Sequence, residues 1–236
     1  MEQIMVIKTG DTFPVIAESF NDFEHWIIDG LEIDKDRVRV VDVPKGDPLP
    51  DLRDCRAAVI AGSHAMVTQK LDWSVAIGKW VPGLVEKQIP VLGICYGHQL
   101  VASAMGGRVD YHKGGIEIGT VKINCMSTGY LDPLFKGLPE TFDVHVCHSQ
   151  TVVELPEHAI LIAANDFEPH HAFRIGSFCW GVQFHPEYDE AILETRKDLW
   201  ASPQRVIKIT VPDEEQFFTE FKKNKETFIE YFNANE

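Results

Sequence analysis

The sequence predicts an α/β fold in three layers: a mostly parallel central sheet with helices on both faces, plus a small antiparallel or mixed extension. Two observations predict it. Up to Gly107, short continuous apolar runs alternate with amphipathic stretches, the pattern of parallel strands buried on both faces. After Gly107 the rhythm changes to closely spaced strand-like segments with few helices between them. A chain of 236 residues accommodates one large α/β domain, or a domain with an appendage.

In chain order, MVIK (5–8) reads as the first strand and FPVIAESFNDFEHWIIDGL (13–31) as the helix after it, with Pro14 near its start. RVRVVDV (37–43) reads as a second strand and PKGDPLPD as a loop, followed by RAAVIAG (56–62) as a third strand. DWSVAIGKWVPGLVEKQ (72–88) is helical in pattern, with Pro82 expected to kink or split it. IPVLGI (89–94) is a fourth strand, and GHQLVASAM (97–105) a helix stopped by Gly106 and Gly107. IEIGTVKINC, FDVHVCHSQTVVEL, AILIAAND and HAFRIGSFCWGVQF supply the extension. The domain is expected to span 1–200, with 201–236 a helical extension packed on it. There DEEQFFTEFKKNKETFIEYF (213–232) spaces its aromatics as a packed amphipathic helix does.

The formal net charge of −14 opposes phosphate backbones and anionic membrane surfaces, so neither nucleic acid nor membrane is an expected partner. No apolar run approaches the roughly 18 residues of a membrane span, and the opening MEQIMVIKTGDTF does not read as a signal peptide. Five widely spaced cysteines, an odd number, argue against a disulfide framework and for a reducing, cytoplasmic setting.

One cysteine stands apart. GICYGHQL (93–100) places Cys95 between Gly93 and Gly97 where a strand gives way to a helix. A nucleophile on such a turn is held clear of its neighbours, and bulkier flanking residues would clash. The helix N-terminus favours a thiolate, and the N–H of Tyr96 points where an oxyanion would form. The competing reading, a small buried thiol, is equally compatible with this stretch alone. The histidines decide between them. In CWGVQFHPEY (179–188) a strand-like run ends at His185, Pro186 stops the ladder, and Glu187 can turn back onto the imidazole and fix its tautomer. HVCH (145–148) and HH (170–171) would suggest a metal, but His145 and Cys147 share one strand face while His148 points away, so no metal is expected. His64 and His98 read as local hydrogen-bonding residues, and Cys147 and Cys179 as core thiols.

GICYGHQL with GVQFHPE resembles the signature pair of the class I, triad-type glutamine amidotransferases, over about residues 40–190. The resemblance is closest to the amidotransferase portion of GMP synthetase and to free-standing GMP-synthetase-like amidotransferases. It implies a flavodoxin-like fold and a triad of Cys95, His185 and Glu187 that needs no cofactor. Cys95 would attack the side-chain amide carbon of glutamine, and His185, oriented by Glu187, would move the protons. The oxyanion hole would be the backbone N–H groups of Tyr96 and Ser63. The family's loop there usually reads Ser-Gly-Gly-Pro; here it is Ala61-Gly62-Ser63-His64. Gly62, Gln99, Ser149 and Gln150 would contact the substrate. The implied substrate is glutamine or another γ-glutamyl small molecule, with γ-glutamyl peptide hydrolysis as the alternative and a non-catalytic module on the same fold as a third. No Gly-rich phosphate loop follows the triad, so ammonia released here would go to a synthetase subunit in trans or to none.

Overall fold

The computed structural model describes residues 3–31, 34–189, 191–193 and 195–196. The expected helix at 213–232, and the extension 201–236 that contains it, lie outside the described residues.

A nine-stranded sheet forms the middle layer. Its strands are β1 (Gln3–Lys8), β2 (Val38–Asp42), β3 (Cys55–Ile60), β4 (Val91–Ile94), β6 (Glu117–Cys125), β7 (Thr141–His148), β9 (Ile160–Ala164), β10 (Ala172–Ile175) and β11 (Cys179–Val182). The order is β2-β1-β3-β4-β11-β10-β9-β6-β7. The five strands from β2 to β11 run parallel, and β10, β9, β6 and β7 add on antiparallel. Two further strands, β5 (Arg108–Tyr111) and β8 (Gln150–Glu154), pair as a separate antiparallel ribbon. The short, largely exposed β5 carries too little apolar pattern to read as a strand.

Both faces of the parallel half are covered, which explains its continuous apolar runs. In β1, Ile4 and Val6 enter one core with Ile16, Phe23, Trp26 and Ile27 of the first two helices, α1 (Pro14–Phe20) and α2 (Phe23–Leu31). Met5 and Ile7 enter the other core with Ile77, Val81 and Leu84 of α3 (Asp72–Glu86) and Leu100 and Val101 of α4 (Tyr96–Ala104).

Two local expectations are corrected. Residues 13–31 form two helices rather than one. Asn21 adopts a positive φ of 67°, and the Asp22 carboxylate then accepts the N–H groups of Thr12 and Phe23, each at 2.8 Å. That local capping outcompetes a continuous helix. Conversely, α3 runs unbroken through Pro82, its buried face of Ser74, Ile77, Val81 and Leu84 spanning the proline. Packing of that face offsets the missing hydrogen bond.

Candidate active site

Strands β4 and β11 are parallel neighbours in register, with Ile94 opposite Val182. Each runs out at the same edge of the sheet, the usual place for ligands in open α/β sheets. Cys95 follows β4 directly, and its N–H donates to Val182 O at 2.8 Å. His185 comes three residues after β11, its N–H donating to His145 O at 2.8 Å. Two motifs ninety residues apart therefore meet because their strands pair.

The turn at Cys95 is strained as a nucleophile elbow requires: φ is 50° and ψ −97°. Both flanking glycines are needed for close approach. A Cβ on Gly93 would sit 2.5 Å from the Gly97 carbonyl carbon, and a Cβ on Gly97 would overlap the backbone oxygen of Ile60. The Tyr96 hydroxyl donates to Ser74 Oγ at 2.5 Å and ties the start of α4 to α3.

His185 is 2% exposed. Its Nδ1 lies 2.7 Å from Glu187 Oε1. Tyr188 stacks on the imidazole at 3.9 Å and 11°, and Phe23 lies beyond at 6.4 Å. A Nδ1–H donated to the carboxylate leaves Nε2 as the basic nitrogen. Burial pushes the His185 pKa down, against the opposing pull of Glu187. Burial likewise pushes the Cys95 thiol up, with Arg196 and the Tyr96 N–H pulling the other way. Burial thus disfavours the charged form of both groups. Cys95 Sγ contacts Cys147 O at 3.8 Å, and no hydrogen bond joins it to His185 among the described residues.

One cavity of about 30 Å³ brings together Cys95, Tyr96, Ser63, Gln99, Ser149 and Gln150. Gly62 is not on its wall but stands against His185, where a Cβ would come within 2.9 Å of the imidazole Cε1. The loop lacking Gly-Gly-Pro is held by hydroxyls instead. Ser63 Oγ donates to Thr9 O at 2.7 Å and accepts from Ala65 N at 3.1 Å, while Thr9 Oγ1 donates to Gly62 O at 2.7 Å. Gln99 spends its amide N–H groups on Gln150 O (2.8 Å) and Gln183 Oε1 (2.9 Å). Its place is therefore behind the backbone at Ser149 and Gln150, which it positions.

Three residues of the cavity wall were not singled out as site residues by the sequence. His148 places Nδ1 2.9 Å from Gln150 O and Nε2 2.9 Å from the buried Glu117 Oε2, so both ring nitrogens face acceptors. The His64 ring lies tilted against Phe13, centroids 4.2 Å apart, and burial pushes its pKa down to about 4, with Arg196 adding to the shift. Arg196, 4% exposed, completes the wall. Nothing in the stretch around Arg196, eleven residues past His185, marks it in sequence; only the fold brings it to the cavity with Cys95. His145 meets Thr120 Oγ1 at 3.1 Å.

A family model described as glutamine amidotransferase class-I matches residues 18–196. The chain belongs to that family. A second model, for a domain of unknown function, matches residues 181–236. Gamma-glutamyl peptidase 5 of Arabidopsis thaliana is 31% identical over 187 residues, covering 78% of this chain and 70% of that protein. The glutamine-hydrolyzing GMP synthase of Thermosipho africanus is 34% identical over 161 residues, covering 65% of this chain but 29% of that protein. The crystal structure of a glutamine amido transferase from Methylobacillus flagellatus superposes with a TM-score of 0.77 at 20% identity, covering 99% of this chain and 95% of that one. At that identity the likeness shows the fold: this amidotransferase shares its architecture with free-standing members of the family. No helix among the described residues is long and apolar enough to cross a membrane.

Proposed function

We propose that this chain hydrolyses the side-chain amide of a γ-glutamyl compound through a thioester on Cys95. The observation that carries the reading is the buried His185–Glu187 hydrogen bond of 2.7 Å, set at the end of the strand beside the one that delivers Cys95. The Cys95 thiol adds to the γ-carbonyl carbon while His185 Nε2 takes its proton. The oxygen's charge falls to the N–H groups of Tyr96 and Ser63. The C–N bond then breaks, and His185 returns the proton to the departing nitrogen. Water adds to the thioester, losing its proton to His185; the C–S bond breaks and the thiol is restored. Glutamate leaves, and the steps balance with water alone. Glu187 keeps the imidazole in the tautomer that each transfer needs. The backbone at Ser149 and Gln150, held by Gln99, receives the α-amino and α-carboxylate groups.

With glutamine as substrate the product is ammonia, delivered to a synthetase subunit in trans or released. The likeness to gamma-glutamyl peptidase 5 over 70% of that protein favours a second reading, in which the leaving group is an amino acid or peptide. On either reading the amidotransferase unit is residues 1–200.

A substrate panel of glutamine and γ-glutamyl dipeptides, run with wild type and Cys95→Ala, tests this. Glutamate release should fall by about 10³-fold or more in the variant. Equal release from both proteins, or failure of a thiol-alkylating glutamine analogue to label Cys95, overturns the proposal and leaves a non-catalytic module on this fold.

A further inference from the structure

On the leaving-group side of the site lies a buried cation that the thioester mechanism does not use. The Arg196 guanidinium carbon stands 5.6 Å from the Phe13 ring centroid, 5.7 Å from Phe23 and 5.3 Å from Tyr188. Its Nη1 donates to Thr12 Oγ1 at 3.1 Å, and the Cys147 thiol lines the same cavity. Among the described residues it meets no carboxylate, and its buried Nε has no partner. Two other buried polar atoms of this wall, Tyr188 OH and His64 Nε2, are also without one. A buried guanidinium with neutral neighbours only is costly and calls for an anion. Orphaned polar atoms converging beside it call for the same ligand.

The position says which end of the substrate that anion belongs to. With the γ-carbonyl on Cys95 and its oxygen toward Tyr96 and Ser63, the glutamyl chain runs to Ser149 and Gln150. The departing nitrogen must face His185, which protonates it. Tyr188 and Phe23, the rings flanking His185, are the rings that Arg196 spans. Any group attached to that nitrogen grows toward the guanidinium.

We propose that Arg196 binds the carboxylate of a γ-glutamyl substrate's leaving group, and so selects γ-glutamyl amino acids or peptides over amides whose leaving group carries no charge. This rests on the thioester reading above. A planar, five-donor guanidinium suits a bidentate carboxylate, and the ring faces around it hold its plane.

The test compares γ-glutamylglycine with γ-glutamylglycinamide, which differ only in that carboxylate. Wild type should prefer the acid by about ten-fold or more in kcat/KM. Arg196→Met keeps the packing volume and should bring the ratio to about one, while Arg196→Lys keeps charge and should retain part of the preference. Any loss common to both substrates cancels in the ratio. A preference that survives Arg196→Met, or a wild-type ratio near one, overturns the proposal. Calorimetric titration of Cys95→Ser protein with the same two compounds reads selectivity without turnover. If wild type hydrolyses neither compound nor glutamine, the thioester reading fails, yet tighter binding of the acid that vanishes with Arg196→Met still supports the anchor; equal binding of the two compounds refutes it, whether or not glutamine is hydrolysed.

Discussion

The two walls of the cavity are built by different means. On the side of Ser149 and Gln150, the Gln150 carbonyl lies in hydrogen-bond range of both Gln99 Nε2 and His148 Nδ1. His148 is in turn backed by Glu117, whose second oxygen accepts from Asn165 Nδ2 at 3.0 Å. That wall is backbone fixed from behind by a buried polar network. The opposite wall is made of stacked rings around His185 and a cation held by neutral groups. On the proposed reading, fixed backbone suits the glutamyl group, which never varies, and aromatic faces with a cation that meets no carboxylate among the described residues suit the leaving group, which does.

The largest effect expected from breaking this comparison is on the base side. Glu187→Gln keeps the volume but lets the amide oxygen no longer demand the Nδ1–H tautomer of His185. The turnover rate should fall roughly 10²- to 10⁴-fold with little change in KM, as expected for loss of an orienting carboxylate. Steady-state kinetics on the preferred substrate measures it. A change of only a few-fold would mean that the aromatic stack, not the carboxylate, orients the base.

On the other wall the expected change is in stability. Burial disfavours the charge on Glu117, but hydrogen bonds and charge from His148 and His171 overcome it, and the carboxyl is held well below its usual range. A depressed carboxylate contributes stability that is present in full above its unfolded pKa of about 4.3 and is lost as pH falls through that value toward the folded one. Glu117→Gln should cost about 2 kcal/mol near neutral pH, less than outright deletion of a buried partner because an acceptor remains. The gap between wild type and variant should close as the pH is lowered from about 6 to about 3. Denaturant unfolding at several pH values reads it, and a gap independent of pH would show that the network is held by shape rather than charge.

What the sequence revealed divides along the same line. The elbow at Cys95 and the His185–Glu187 pair were legible because each is a local pattern with a chemical reason: glycines for close approach, and a proline-bounded return of a carboxylate. The parallel half of the sheet was legible because burial on both faces leaves continuous apolar runs. The walls were not. Glu117 and His148 meet only through the pairing of β6 with β7. Arg196 reaches the cavity only because the chain after β11 turns back across α1 and α2. Such partners are set by tertiary register, on which local spacing is silent. Gln99, too, meets the Gln150 carbonyl in a way that spacing cannot show.

The smallest predicted effect sharpens the comparison by altering the scaffold of the aromatic wall while leaving its chemistry alone. Phe13 caps the start of α1 and Phe23 opens α2, and the break between the two helices turns on Asn21, whose φ of 67° and ψ of −157° lie where residues other than glycine are strained. Asn21 is exposed, and its backbone N–H bond to Ala17 O at 3.1 Å needs no side chain. Asn21→Gly should therefore leave the hydrogen bonding intact and relieve the strain, partly offset by the greater freedom of glycine in the unfolded chain. The net change should be a gain of up to about 1 kcal/mol, read by thermal or denaturant unfolding. The ratio of rates on γ-glutamylglycine and γ-glutamylglycinamide should not move, because Arg196 and the rings keep their places. A destabilisation beyond about 1 kcal/mol would mean that the Asn21 side chain itself holds the junction, and a shifted ratio would mean that the wall's selectivity depends on the set of α1 against α2 as well as on the guanidinium.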